Sequence, residues 1–184
     1  VLVTLASTVV YLAIQLIQSD DPSKLDQSMY IYFAINGFFL LFTYPLMLVI
    51  EKAFGFTSTV TLFELSNTNN YLLRRLSEVA PGTFQHSIMV GNLAAEIANR
   101  IGAKAHLVRT GALYHDIGKM ANPAFFTENQ AGVNPHEKLS CQESARIIIS
   151  HVSEGTRLAE KFNLRTAIRE FITIHHGKGL GSFF

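Results

Sequence analysis

Five of the seven histidines in this 184-residue sequence fall where helices would carry or end them: His86, His115 beside Asp116, His151, and the adjacent pair His175 and His176. Imidazole is a common ligand for Fe, Mn and Zn, and a carboxylate next to it can bridge two cations. Helices that converge on these residues would build a metal site. Each histidine alone has an ordinary explanation as a core or surface residue, so the set carries the signal. A single cysteine, Cys141, excludes an internal disulfide and a cysteine-based zinc site, which leaves histidine and carboxylate as the ligands for any metal.

The remaining chemistry-bearing residues read differently. His106, between Lys104 and Arg109, reads as an exposed surface residue. His136, in the loop Asn134-Pro135-His136-Glu137-Lys138, either reaches the mouth of a site or stays in solvent. Arg109 lies two helical turns before Asp116 and faces roughly the same way, so it either pairs with a metal-ligating carboxylate or covers a helix groove. Cys141, at a helix start, is reactive in principle.

These residues sit on an all-helical pattern. Apolar residues recur at three- and four-residue intervals in 88–101, 107–117, 144–152 and 164–174, with Gly102 and Gly118 as stops. Pro81-Gly82 closes the preceding segment and Thr83 stands where an N-cap would start the next helix. Ser140 and Glu143 have the spacing of a capping box, and 122–138, rich in Pro, Asn and Gly, reads as a loop.

The N-terminal part belongs to another environment. Residues 1–50 hold almost no charge outside the stretch from Asp20 to Asp26, and the chain as a whole is 48% hydrophobic. Two transmembrane helices are expected, at 1–17 and 29–50, the second about as long as the roughly 20 residues a span requires. Soluble helices normally show a polar stripe, which these runs lack. Acidic residues in 18–28 and Lys52 after the second run place everything beyond Ile50 in the cytoplasm by the positive-inside tendency. Residues 51–80 read as a helical linker and 81–184 as the metal-binding domain. A net charge of +1 with no dense basic run argues against long DNA or RNA as a partner. Opening inside an apolar run without methionine, the sequence reads as an internal fragment of a longer protein, and no signal peptide is recognisable.

Taken in order, His86, His115-Asp116 within His-Asp-Ile-Gly-Lys, His151 and His175-His176-Gly177 resemble the HD superfamily of metal-dependent phosphohydrolases. Within it, Ala80-Pro81-Gly82-Thr83-Phe84-Gln85-His86-Ser87, together with the preceding spans, resembles the seven-transmembrane HD phosphodiesterases that degrade cyclic di-AMP in bacteria. The resemblance covers essentially the whole chain. It implies that His86, His115 and Asp116 bind one metal, and that Asp116 bridges to a second held by His151, His175 and His176. By the resemblance Lys119 would meet a phosphate oxygen, while His136 is a candidate substrate contact only from its place in the loop. The family pattern needs one more Asp, well downstream of the His-His pair, so the HD domain is expected to be incomplete at its C-terminus and this polypeptide alone inactive.

The resemblance further implies two divalent ions, Fe or Mn, a cyclic dinucleotide substrate, a multi-pass protein of the cell membrane with a cytoplasmic HD domain, and a homodimer as a candidate assembly. Simpler HD nucleotidases bind one metal, and His151 with the His175-His176 pair argues for two. Two adjacent cations would acidify a bridging water for in-line attack on phosphorus. Enzymes acting on cyclic di-GMP share this logic, but their paired histidines are usually followed by Glu where this chain has Gly177, and their Gly-Tyr-Pro signature is absent. The leading expectation is hydrolysis of cyclic di-AMP to the linear dinucleotide. Second is a phosphodiesterase for cyclic di-GMP or another nucleotide, and third a non-catalytic nucleotide-binding receptor.

Overall fold

A computed structural model describes residues 2–18 and 28–177. All regular structure among them is helical, as the periodicity predicts, and it divides into two compact units, Val1–Phe56 and Thr57–Phe184. The acidic stretch 19–27 and the last residues, 178–184, lie outside the described residues.

In the first unit α1 (Leu2–Gln18) and α2 (Ser28–Phe54) run antiparallel. Thr4 packs against Gly37, and Tyr11 lies edge-on to Tyr30 and Phe33 at 5.9 and 5.6 Å between ring centroids. The hydroxyls of Ser7 and Thr8 donate to carbonyls one turn back, at 2.9 and 2.8 Å, so both are satisfied within their own helix. That is the arrangement an apolar solvent demands. Large apolar side chains face outward along both helices, among them Leu2, Ile17, Phe39 and Val49. Of the two expected spans, α2, with 27 residues and an 18-residue stretch of mean hydropathy 2.0, is long and apolar enough to cross a bilayer, and α1 is a shorter apolar helix.

The second unit starts at Thr57. The short helices α3 (Thr59–Leu65) and α4 (Tyr71–Val79) are capped by Ser58 and Asn70, whose side chains accept from the N–H groups of Thr61 and Leu72. They lead into α5 (Pro81–Arg100), α6 (Ala105–Tyr114), a series of 3-10 turns over 117–138, α7 (Cys141–Lys161) and α8 (Thr166–Ile174). Here the expected linker differs from what is found. Leu62, Leu72, Leu73 and Leu76 of α3 and α4 are buried in one core with Leu113, Tyr114, Ile117, Ile168 and Ile172. The spacing of the three leucines on α4 puts them on a single face, and α4 packs against α5 and the 117–121 turn.

Two further local expectations change. Pro81 is the first residue of α5, where its missing N–H costs nothing, and Ala80 rather than Thr83 is the N-cap. Gly118 ends no α-helix. It lies where a Cβ would stand 1.8 Å from the carbonyl oxygen of His151, so a bare backbone is what lets the 117–121 turn rest directly on α7. Gly102, with φ +70, does terminate α5, and Ser140 with Glu143 forms the expected reciprocal capping box at the start of α7.

Candidate metal centre

The five histidines and Asp116 arrive from four helices at one place. His86 projects from the second turn of α5. His115 caps the C-terminus of α6, and Asp116 follows it, turning the chain into the 3-10 segment that carries Lys119. His151 lies midway along α7, and His175 and His176 close α8. Ligand-capable atoms of His86, His115 and Asp116 lie within 4.8 Å of one another, and those of His151, His175 and His176 do the same. Asp116 stands between the two groups. Its Oδ2 is 3.1 Å from His115 Nε2, and its Oδ1 is 3.5 Å from the Nε2 atoms of both His151 and His175.

The backbone fixes which ring nitrogens point inward. His115 Nδ1 lies 2.7 Å from the carbonyl of Ala112, His175 Nδ1 lies 2.9 Å from that of Ile172, and His151 Nδ1 meets that of Ile148. A carbonyl can only accept, so each Nδ1 donates a hydrogen to it and each ring turns its Nε2 toward the centre. This is how metal-ligating histidines are commonly oriented. The i−3 carbonyl is available because each histidine sits in or at the end of a helix.

The charges follow from burial and proximity. Burial alone would raise the pKa of Asp116, but the neighbouring His115 and His175 and the charge of Lys119 hold it far below the usual carboxylate range. Burial disfavours a charged His115, yet its bond to Asp116 outweighs this and raises its pKa. His151 and His176 are shifted down, both chiefly by burial, His176 also by the neighbouring histidines, and so stay neutral near pH 7. Lys119 is shifted up despite burial, because Asp116 Oδ2 is 2.9 Å and Glu128 Oε1 2.7 Å from its ammonium.

These residues fit a divalent cation. Asp116 is 3% exposed, and its Oδ1 is buried without a hydrogen-bond partner. A buried carboxylate oxygen normally has one. Around it the Nε2 atoms of His151 and His175 converge at 3.5 Å, and this set of imidazole nitrogens about one carboxylate is what a divalent transition-metal ion takes as ligands.

Of the other residues singled out in the sequence, His106 is exposed and packs on Phe63. Arg109 donates to Asn92 at 3.1 Å, joining α6 to α5 rather than meeting a ligating carboxylate. His136 is half-buried, with Nε2 at 2.8 Å from the carbonyl of Phe125 and its ring edge-on to that side chain, while the adjacent Phe126 packs on His151. Cys141 is exposed. Sequence reasoning missed Phe126, Glu128 and Asn129. Phe126 lies under the Lys119 ammonium at 4.9 Å, Glu128 pairs with Lys119, and both Glu128 and Asn129 bond Thr83. They lie in the irregular 122–138 stretch, where no periodicity marks them. The acidic residue nine positions after Lys119 was the available signal.

The HD domain family model matches residues 83–182, the region just described. The chain belongs to the HD-domain family. Among HD proteins it is similar to the cyclic-di-AMP phosphodiesterase PgpH of Bacillus subtilis, 39% identical over 99% of this chain and 26% of that protein. PgpH of Listeria monocytogenes is 43% identical over 73% of this chain and 19% of the other. The chain thus spans about a quarter or less of the length of these curated relatives. The crystal structure of the L. monocytogenes PgpH HD domain in complex with cyclic-di-AMP superposes with a TM-score of 0.61 at 42% identity. That match covers 64% of this chain and 55% of the other.

Proposed function

We propose that this chain is part of a membrane-anchored phosphodiesterase that hydrolyses cyclic di-AMP to linear pApA with a pair of divalent metal ions, Fe or Mn. Support comes from its similarity to PgpH proteins, one of whose HD domains was crystallised with cyclic-di-AMP, and from the two ligand groups that meet at Asp116. The observation that carries the reading is the buried, unpartnered Oδ1 of Asp116 among inward-facing Nε2 atoms.

His86, His115 and Asp116 would hold one ion, and His151, His175 and His176 the other, with Asp116 standing between the two groups. Bound divalent ions supply Lewis acidity toward a phosphate and an acidified water. The protein supplies the rest. The Nδ1–H bonds to backbone carbonyls keep the rings from rotating, so that no reorganisation accompanies reaction. The low pKa of Asp116 keeps it ionised as a ligand. Lys119, held charged between Asp116 and Glu128, is placed to meet a phosphate oxygen. Phe126 excludes water beside His151. His136 is a candidate substrate contact only through the 122–138 turns it braces.

The apolar α2, with Lys52 in its last turn, supports an anchor in the cell membrane, with α1 as a second pass and the HD domain on the cytoplasmic side. The test uses the full-length protein loaded with Mn or Fe, with cyclic di-AMP and cyclic di-GMP supplied side by side. Cyclic di-AMP should be opened preferentially, and Asp116→Ala should abolish turnover while leaving the helical circular dichroism intact. Turnover retained in that variant would overturn the assignment.

A further inference from the structure

Thr83 is fully buried on the first turn of α5, three residues before His86, and it is bound entirely by a distant turn. Its N–H donates to Asn129 Oδ1 at 3.1 Å, its hydroxyl donates to Glu128 Oε1 at 3.0 Å, and that hydroxyl accepts from Asn129 Nδ2 at 2.8 Å. The same Glu128 oxygen accepts from Lys119 at 2.7 Å, and Lys119 reaches Asp116 Oδ2 at 2.9 Å. An unbroken chain of polar contacts therefore runs from the start of α5 to the carboxylate at the centre of the site.

The N-cap of α5, Ala80, has no side chain able to accept from the first N–H groups of the helix. Asn129 satisfies one of them from outside, so the 127–129 turn does for α5 what a local Ser or Asp does for other helices. The backbone contact at this point is tight, since a Cβ on Gly82 would stand 1.8 Å from the carbonyl oxygen of Glu128. The turn can thus seat only on a glycine, and once seated it sets where α5 begins. His86, one turn on, inherits that position.

We propose that Thr83, Glu128 and Asn129 form a clamp of positioning residues that places His86 and Lys119 relative to Asp116. Among the described ligands His115, His151 and His175 are each tied through Nδ1 to a backbone carbonyl, whereas His86 and His176 are not, and of these two only His86 lies on the helix whose first turn the clamp holds. Its placement depends on the helix that carries it. Loss of the clamp should loosen the His86, His115 and Asp116 group selectively and leave the His151, His175 and His176 group unchanged. The inference rests on the two-metal reading above.

The test is Mn(II) binding to the full-length protein, followed by electron paramagnetic resonance titration, with cyclic di-AMP turnover measured in parallel. Thr83→Val removes the hydroxyl at nearly constant volume. It should weaken one of the two Mn(II) ions about tenfold or more, the usual scale for lost outer-shell support, and Thr83→Ser should restore it. Glu128→Gln, which keeps the shape of the turn should the valine destabilise the domain, should lower kcat with little change in KM. Wild-type affinity for both ions in Thr83→Val, or equal weakening of both, would overturn the clamp, as would failure of Thr83→Ser to rescue. If wild-type protein binds Mn(II) but leaves cyclic di-AMP intact, the substrate reading fails. The clamp is then still judged by the titration.

Discussion

His151 and His175 face each other with their Nε2 atoms 3.3 Å apart while the Nδ1 of each is committed to a backbone carbonyl. Two lone pairs at that separation repel unless a proton or a metal ion lies between them. With burial holding His151 neutral, the arrangement favours a cation. Mn(II) should therefore raise the thermal midpoint of the metal-free protein. At a hundredfold excess over Kd, binding to the native state alone adds about 2.7 kcal/mol. Differential scanning calorimetry with and without a chelator checks this, and an unchanged midpoint would count against the ligand set.

Gly118→Ala should be disruptive although it adds one methyl. The Cβ would meet the His151 carbonyl oxygen at 1.8 Å and the Gly155 backbone nitrogen at 2.5 Å, both main-chain atoms that cannot rotate away. Overpacking costs about 1–3 kcal/mol, occasionally more, and the rigid neighbours argue for the upper end. Because the displaced helix carries His151, metal affinity should fall with stability. Urea melts combined with Mn(II) titration separate the two losses.

The helical class, the two environments and the six candidate ligands were all legible in the sequence, because apolar periodicity and residue chemistry are local properties. His115-Asp116 could be read from its own five-residue neighbourhood. The clamp could not. Thr83 has the composition of an N-cap, and only tertiary contact shows that its partners are Glu128 and Asn129, 45 and 46 residues away. Gly118 was misread for a similar reason, since a glycine after a helix resembles a stop until the His151 backbone is seen against it. The packing of α4 was hidden as well. Leu72, Leu73 and Leu76 indicate an apolar face but not what covers it.

Residues 57–80 are accordingly part of the folding unit, and Leu73→Ala should show it. Leu73 is fully buried among core residues contributed by α6 and α8. Removing such a side chain costs about 2–5 kcal/mol, depending on how far the site relaxes. A flexible linker would lose almost nothing. The urea midpoint of the metal-free protein distinguishes these outcomes, and a shift within experimental error would return α4 to the role of a spacer.

The capping box at the start of α7 gives a pH dependence remote from the metal centre. The hydroxyl and N–H of Ser140 donate to Glu143 Oε2 at 2.6 and 3.0 Å, and these bonds lower the Glu143 pKa below its ordinary value. A carboxylate depressed in the folded state contributes stability that is present above its unfolded pKa, near 4.3 for Glu, and that is lost as pH falls through the folded value. The stability difference between wild type and Glu143→Ala should therefore be constant from pH 7 to 5 and shrink as pH falls below about 4.3. Urea melts of both proteins across that range measure it. Because α7 carries His151 ten residues further on, fraying of its first turn should leave Mn(II) binding at neutral pH unchanged in the same variant, which separates the stability of the helix end from the chemistry at its middle.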